Sequence, residues 1–254
     1  MTNNATALTT MSLGKLTVCT YGGFAPVCHK NKDGKPIGYD ITFLEKFAHG
    51  LGLDIVWIEH DFDDIWTMPN ENLCDIAAAG VQQRDDRHVG PGGSWSDPYF
   101  QVQRSLLVRS ADKAAFDDYE TVAGKTIVVT RGSTAHIDAN ARYYPRCTIK
   151  CVDELVLEDQ PDAQEYIVNR LIKNHKVDAF AEDDVDAFAE GDVSNKYLCG
   201  IYGKGCDGDL ALADIHHIDG TNETFNFITR NASTGLLGLL NAFIANNKGG
   251  YPPG

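Results

Sequence analysis

The chain has no apolar run approaching the roughly 18 residues of a membrane-spanning helix. It also has no block or stripe of basic residues. With 22 Lys and Arg against 36 Asp and Glu, and a formal net charge of -14, it lacks the electrostatic footprint of a nucleic-acid binder. The first residues, MTNNATALTTMSLGKL, contain no apolar core of a secretory leader and read as a mature or recombinant N-terminus. Zinc-type spacing is missing. The cysteines do not fall in tight pairs with histidine partners, and the His216-His217 doublet has no ligand at coordinating distance in sequence, so it reads as surface loop and no metal is expected. There is no nucleophile-base pair and no phosphate-cradling glycine loop, so neither a cofactor nor that chemistry is expected. Low-complexity tracts and repeats are not evident.

What is present is 254 residues with a 43% hydrophobic and 23% charged share. That composition is ordinary for a globular protein and ample for one large domain or two smaller ones. The seven cysteines include three local pairs, Cys19 with Cys28, Cys147 with Cys151 and Cys199 with Cys206, while Cys74 is left over. Two readings stay open: at least one disulfide, which implies an oxidising compartment, or scattered buried thiols. Asn-x-Ser/Thr sequons begin at Asn4, Asn222 and Asn231 and matter only in a secreted eukaryotic protein.

Periodicity orders the chain into strands and helices. KLTVCTY from Lys15 alternates as a strand. A Gly/Pro-rich loop follows, and YDITFLEKFAHGLGL from Tyr39 places Ile41, Phe43, Leu44, Phe47 and Ala48 on one helical face. DIVWIEH, a short helix in DFDDIWTMP and the strand CDIAAAG complete a β-α-β-α-β order, which implies parallel strands and right-handed crossovers. QRSLLVRS from Gln103 is a strong strand. A second set then runs through KTIVVTRG, a helix from Ser133, RCTIKCV, a helix in QEYIVNRLIKN and the strand VDAFAED from Val177. NKYLCGIYG and the tail from Glu223 are expected to rejoin the first unit. The fold class is α/β in two lobes, each a sheet flanked by helices, with lobe 1 at 15-108 plus 200-254 and lobe 2 at 109-199.

Five stretches resemble the bacterial amino-acid-binding proteins of solute-binding protein family 3. CDIAAAGVQQRDDRHVGPGGSWSDPY from Cys74 is similar to that family's Asp-apolar strand, Gly, anchoring Arg and aromatic-Ser-x-Pro-Tyr corner. GYDITFLEKFA from Gly38, LVRSADK from Leu107, KTIVVTRGSTA from Lys125 and KVDAFAED from Lys176 resemble further motifs of the family in the same order. The resemblance implies a hinged two-lobed clamshell of the type II periplasmic binding protein kind. The C-terminal third is less typical, since the family's usual final-helix pattern is missing.

The resemblance also implies a site. Arg87 falls on the arginine that grips the ligand carboxylate, a task suited to a planar guanidinium with parallel donors. Thr134, beside Ser133 at a helix start, falls on the second-lobe threonine, where backbone N-H groups and the helix dipole favour an anion. Ser133 or Thr134 also fits a plain N-cap. Asp183 falls on the ammonium-binding acid, and Phe24 and Phe62 on the aromatics that sandwich the ligand. Ala79 and Gly80 would offer backbone groups, and Gln82 replaces a usual serine. Arg84 replaces a usual threonine and either faces the cleft or pairs with Asp85 or Asp86. The loop after Arg87 carries two extra residues, as GPGG.

The implied function is extracytoplasmic binding, in the periplasm or outside the cell, of an amino acid or related carboxylate. The protein would act as a monomer read by a membrane permease of an ABC-type uptake system or by a sensor. Two alternatives remain. One is a ligand-binding domain of a receptor or sensor. The other is an enzyme like cyclohexadienyl dehydratase, which has the same fold and whose general acid falls three residues after the ammonium acid, here at Asp186.

Overall fold

The computed structural model describes residues 7-116, 120-155, 166-168, 185-205, 209-213 and 223-247. The chain divides into two compact units, Met1–Gln101 with Glu223–Gly254, and Val102–Asn222.

The first unit is built on a five-stranded sheet. Its strands are β1 (Lys15–Thr20), β5 (Asp54–Glu59), β6 (Ile76–Ala78), β7 (Gly93–Trp95) and β15 (Ile228–Arg230), in the order β5-β1-β6-β15-β7. β1 runs parallel to β5 and β6, whereas β15 is antiparallel to β6 and β7. A small antiparallel sheet of β2 (Gly23–Phe24), β3 (Cys28–Lys30) and β4 (Pro36–Ile37) leads into helix α1 (Tyr39–Gly50). The apolar face read from the 3.6-residue period is the buried one: Ile41, Phe43, Leu44, Phe47 and Ala48 all lie in the core. Phe43 also meets α5 (Leu236–Asn247) edge-on through Phe243 at 5.0 Å, so the C-terminal segment supplies a final helix to this unit.

The helix starts where it does because of Gly38. Its φ of 128° is in the region that favours glycine, and a Cβ there would stand 2.4 Å from the Val27 carbonyl oxygen. The next two N-H groups donate to the Pro26 and Val27 carbonyls at 3.0 Å, which satisfies helix-end donors without a capping side chain.

The second unit carries its own five-stranded sheet. It consists of β9 (Arg104–Arg109), β10 (Thr126–Val129), β11 (Thr148–Cys151), β12 (Ala187–Gly191) and β13 (Leu210–Leu212), in the order β11-β10-β12-β9-β13. β10 is parallel to β11 and β12, and β9 is antiparallel to β12 and β13. Alternate residues feed two cores. Leu106, Val108, Ile127, Val129 and Ala187 pack on one side with α2 (Thr134–Tyr143); Leu107, Val128 and Phe188 pack on the other with Leu198 of α4 (Asp192–Gly205). A short helix, α3 (Val152–Leu155), follows β11. The remaining strands, β8 (Phe100–Val102) and β14 (Glu223–Phe225), pair with each other as a two-stranded ribbon.

Two expectations are revised. The unit borders fall after Gln101 and after Asn222, not at 108 and 200, because β9 and β13 are ladder partners inside the second sheet. NKYLCGIYG belongs to α4 of the second unit and does not return to the first. The expected strand VDAFAED at 177-183 lies outside the described residues, and β12, the described strand next to β10, is a separate stretch. It is formed from the near-identical VDAFAEG at 185-191, a duplication the sequence reading passed over. The local cysteine pairs are not bridged among the described residues: Cys19, Cys28, Cys74, Cys147, Cys151 and Cys199 are free thiols, five of them buried. Cys206 lies outside the described residues.

Candidate functional site

In the first unit, β6 runs out at Ala78 and its continuation carries the candidate site, at the carboxyl end of a parallel strand. Ala79 is fully buried and contributes only backbone. Gly80 has φ +58°, and a Cβ there would come within 2.7 Å of the Phe24 ring. Its N-H donates to Asp40 Oδ2 at 3.0 Å, so this donor is spent inside the protein. Asp40, on the first turn of α1, is fully buried and also accepts the Tyr99 hydroxyl at 2.7 Å. One carboxylate thus ties the helix entry, the end of β6 and the Ser-Asp-Pro-Tyr corner together.

Arg87 is only 3% exposed. Its Nη1 donates to the Gln82 carbonyl at 3.0 Å, and its guanidinium carbon lies 4.7 Å from the Trp66 ring centre and 5.4 Å from that of Phe62. Two aromatic faces and a carbonyl therefore hold a desolvated cation in one orientation. Phe62 meets Trp66 edge-on at 6.3 Å and Tyr21 at 5.8 Å. Phe24 is buried edge-on against Phe225 at 5.9 Å. Gln82 is buried, and its side-chain amide donates to a carboxylate oxygen of Glu223.

Arg84 forms a two-pronged fork with Asp86, with Nε and Nη2 donating at 2.9 and 2.8 Å. That contact holds the Asp86 carboxyl below its ordinary pKa. Of the two aspartates open in sequence as partners, Asp86 takes this fork. The glycine-rich insertion wraps Asn70: Gly92 N-H donates to Asn70 Oδ1 at 2.8 Å, and a Cβ on Gly90 would collide with the same side chain.

In the second unit, Ser133 is the N-cap of α2, its hydroxyl accepting the His136 N-H at 3.1 Å. Thr134 follows as the first helical residue and is partly exposed. Asp183 lies outside the described residues. The described strand β12 carries Glu190 as its penultimate residue, 7% exposed, which accepts from the Gly191 N-H at 2.9 Å and stands 4.0 Å from Arg104. Asp186 is held by Arg109 Nη2 at 3.0 Å, Lys125 at 3.5 Å and the Thr126 N-H at 2.9 Å. Among the described residues no cluster of His, Cys, Asp and Glu fit for a metal occurs, and no helix is long and apolar enough to cross a membrane.

Sequence reasoning missed Trp66, Asp40, Glu190 and Glu223. Trp66 had a signal, four residues after Phe62 and so on its side of a helical turn. Glu190 had one in the duplicated heptapeptide. Glu223 had none, because it meets Gln82 across 141 positions of chain.

The model of the bacterial extracellular solute-binding proteins, family 3, matches residues 16-249. A probable histidine-binding protein of Campylobacter jejuni is 25% identical over 183 residues, 71% of this chain and 64% of that relative. A membrane-bound lytic murein transglycosylase F of Hahella chejuensis is 26% identical over 110 residues, 42% of this chain and 21% of the relative. The chain thus spans less than two thirds of the length of these curated relatives. Among solved structures, an amino acid ABC transporter substrate-binding protein from Streptococcus pneumoniae bound to L-arginine superposes with a TM-score of 0.72 at 21% identity, covering 94% of this chain and 91% of that one. This likeness shows the fold, the two-lobed α/β architecture of type II periplasmic binding proteins.

Proposed function

The chain belongs to the bacterial extracellular solute-binding proteins of family 3, and from that premise we propose that it binds an amino acid or closely related small carboxylate outside the cytoplasm for ABC-type uptake. The observation that carries this reading is Arg87. Its guanidinium is 3% exposed and held between a carbonyl and two aromatic rings, which fixes the orientation of a planar cation beside the end of β6. A carboxylate matches its planar donors, and Phe62 and Trp66 provide the apolar surface on which an amino-acid side chain rests. Within the second unit, Ser133 serves as the α2 cap and Thr134, at the helix N-terminus, is proposed as a donor to an anionic group. The ligand is delivered to a membrane permease, with the protein acting as a monomer in the periplasm or outside the cell.

Relatives of this chain include a lytic transglycosylase, which raises an enzyme reading. The dehydratase-type general acid would be Asp186. Its oxygens are taken up by Arg109, Lys125 and the Thr126 N-H, which favours binding without catalysis.

The test is a thermal-shift screen of the intact chain against the twenty standard L-amino acids. A binder at 100 times its dissociation constant stabilises the folded state by about 2.7 kcal/mol. The reading fails if none shifts the melting temperature.

A further inference from the structure

The stretch from Val177 is an octapeptide written twice. VDAFAEDD at 177-184 is followed without a gap by VDAFAEGD at 185-192, and the two copies differ only at Asp183 and Gly191. The second copy supplies β12, which lies between β10 and β9 in the sheet of the second unit. The first copy lies outside the described residues.

The contacts that hold the second copy are made at positions the two copies share. The Val185 carbonyl accepts from Arg109 Nη1 at 2.8 Å, and Asp186 accepts from Arg109 Nη2 at 3.0 Å and from the Thr126 N-H at 2.9 Å. Ala187, Phe188 and Ala189 pair with Ile127, Val128 and Val129 on one side and with Val108, Leu107 and Leu106 on the other. Phe188 is fully buried. The Glu190 carbonyl accepts the Ser105 hydroxyl at 3.1 Å, and Asp192 accepts the Gln103 N-H at 2.9 Å. The same residue types stand eight positions earlier, at Val177, Asp178, Ala179, Phe180, Ala181, Glu182 and Asp184. Eight is an even number, so a shift of that size returns each side chain to its own face of the sheet. The one position that differs has room for the difference. Gly191 lies outside the left-handed region, and a Cβ there would stand 3.7 Å from its nearest neighbour, Val102, which is an ordinary contact.

We infer that the β12 place in the second sheet accepts either copy, so that this unit has two registers eight residues apart. The described register ends in glycine. The other puts the Asp183 carboxylate at the same point of the strand. What separates them is the junction with α4. Identity continues to Val193, matched by Val185, and ends at Ser194 and Asn195, where the shifted chain brings Asp186 and Ala187. Asn195 is fully buried and its amide donates to Ser105 Oγ at 2.8 Å, a bond that favours the described register. The registers thus differ at the helix start and at one side chain, while ladder and core are the same in both.

The experiment is urea unfolding of the full chain, followed by far-UV circular dichroism, for Phe180→Asp, Phe188→Asp and the double variant. An aspartate in place of a buried phenylalanine keeps the copy that carries it out of the sheet. Each single variant should retain the wild-type amplitude, because the other copy takes the place. The double variant should lose the second unit's share of it. Loss in Phe188→Asp alone equal to that in the double variant overturns the inference, and so does a double variant of full amplitude. A second readout follows the first copy directly. With Phe188→Asp present, Ala181→Cys takes the position of Ala189, which is 6% exposed. That cysteine should resist a thiol reagent until urea is added, as located by peptide mass. Immediate labelling at position 181 overturns the inference.

Discussion

The hydroxyl of Tyr99 donates to Asp40 at 2.7 Å in the interior of the first unit, 59 positions apart in the chain. Asp40 sits in the first turn of α1 and also accepts the Gly80 N-H, so the tyrosine is tied to the strand end that leads to Arg87. Tyr99 also stacks on Phe227 with ring centres 3.9 Å apart. Tyr99→Phe keeps that stacking and removes a charge-assisted bond to a buried carboxylate. It should destabilise the protein by about 1–3 kcal/mol, seen as a lower urea midpoint at unchanged slope. A midpoint equal to wild type would show that the bond contributes nothing net.

Arg87→Ala should remove ligand binding, at a cost of roughly 2–5 kcal/mol in affinity, since a desolvated carboxylate loses its charge partner. The variant should remain folded. Near-unchanged affinity by calorimetry, in a protein with an ordinary melting curve, would dismiss Arg87 as the anchor.

Arg84→Thr should leave affinity almost unaltered, because its guanidinium is committed to Asp86 at a partly exposed site, where such pairs contribute about 0–1 kcal/mol. Its effect should be on pH dependence. Asp86 has a lowered carboxyl pKa when folded, so the pair contributes stability above the ordinary carboxylate value and loses it as pH falls through the lower folded value. Acid titrations of wild type and variant should therefore converge at low pH and separate towards neutrality. A marked loss of ligand affinity would instead place Arg84 in the site.

Four of the described thiols, Cys28, Cys147, Cys151 and Cys199, should be slow to react in the native state. Burial pushes Cys28, Cys147 and Cys199 up, and Cys151 to about 11, so thiolate is scarce at neutral pH. Labelling with a disulfide reagent at pH 7 should be slow and become fast in denaturant, and reducing agent should not lower the melting temperature. A fall in melting temperature on reduction would indicate a bridge.

The sequon at Asn231 should stay unmodified in the folded protein. Ser233 is buried and donates to Asp75 at 2.6 Å, while the Asn231 amide donates to the Pro91 carbonyl. Ser233→Ala should cost about 1–3 kcal/mol by leaving the buried Asp75 short of a donor, measurable as a lower unfolding midpoint.

What could be read in advance was local. The face of α1 and the strands around Leu16, Ile127 and Leu106 follow from patterns within a dozen residues. Sheet membership was less accessible. QRSLLVRS reads as a strand, but nothing in it says that Leu107 will face Phe188 of β12 and not the first sheet. The heptapeptide ending at Asp183 and its copy ending at Gly191 are alike in composition, and only pairing with Val128 distinguishes the second as the described strand. Arg84 and Glu223 were undecidable for a related reason: each is defined by a partner across a turn or across the whole second unit.

The placement of β15 has a consequence for synthesis. Because β15 lies between β6 and β7, the first sheet cannot be completed until the C-terminal segment leaves the ribosome. The second unit is continuous from Val102 to Asn222 and has all its strands earlier. The order of emergence thus favours the later unit finishing first, while β6 waits with an open edge. A nascent chain halted before Ile228 should carry a protease-resistant second unit and a digestible N-terminal half.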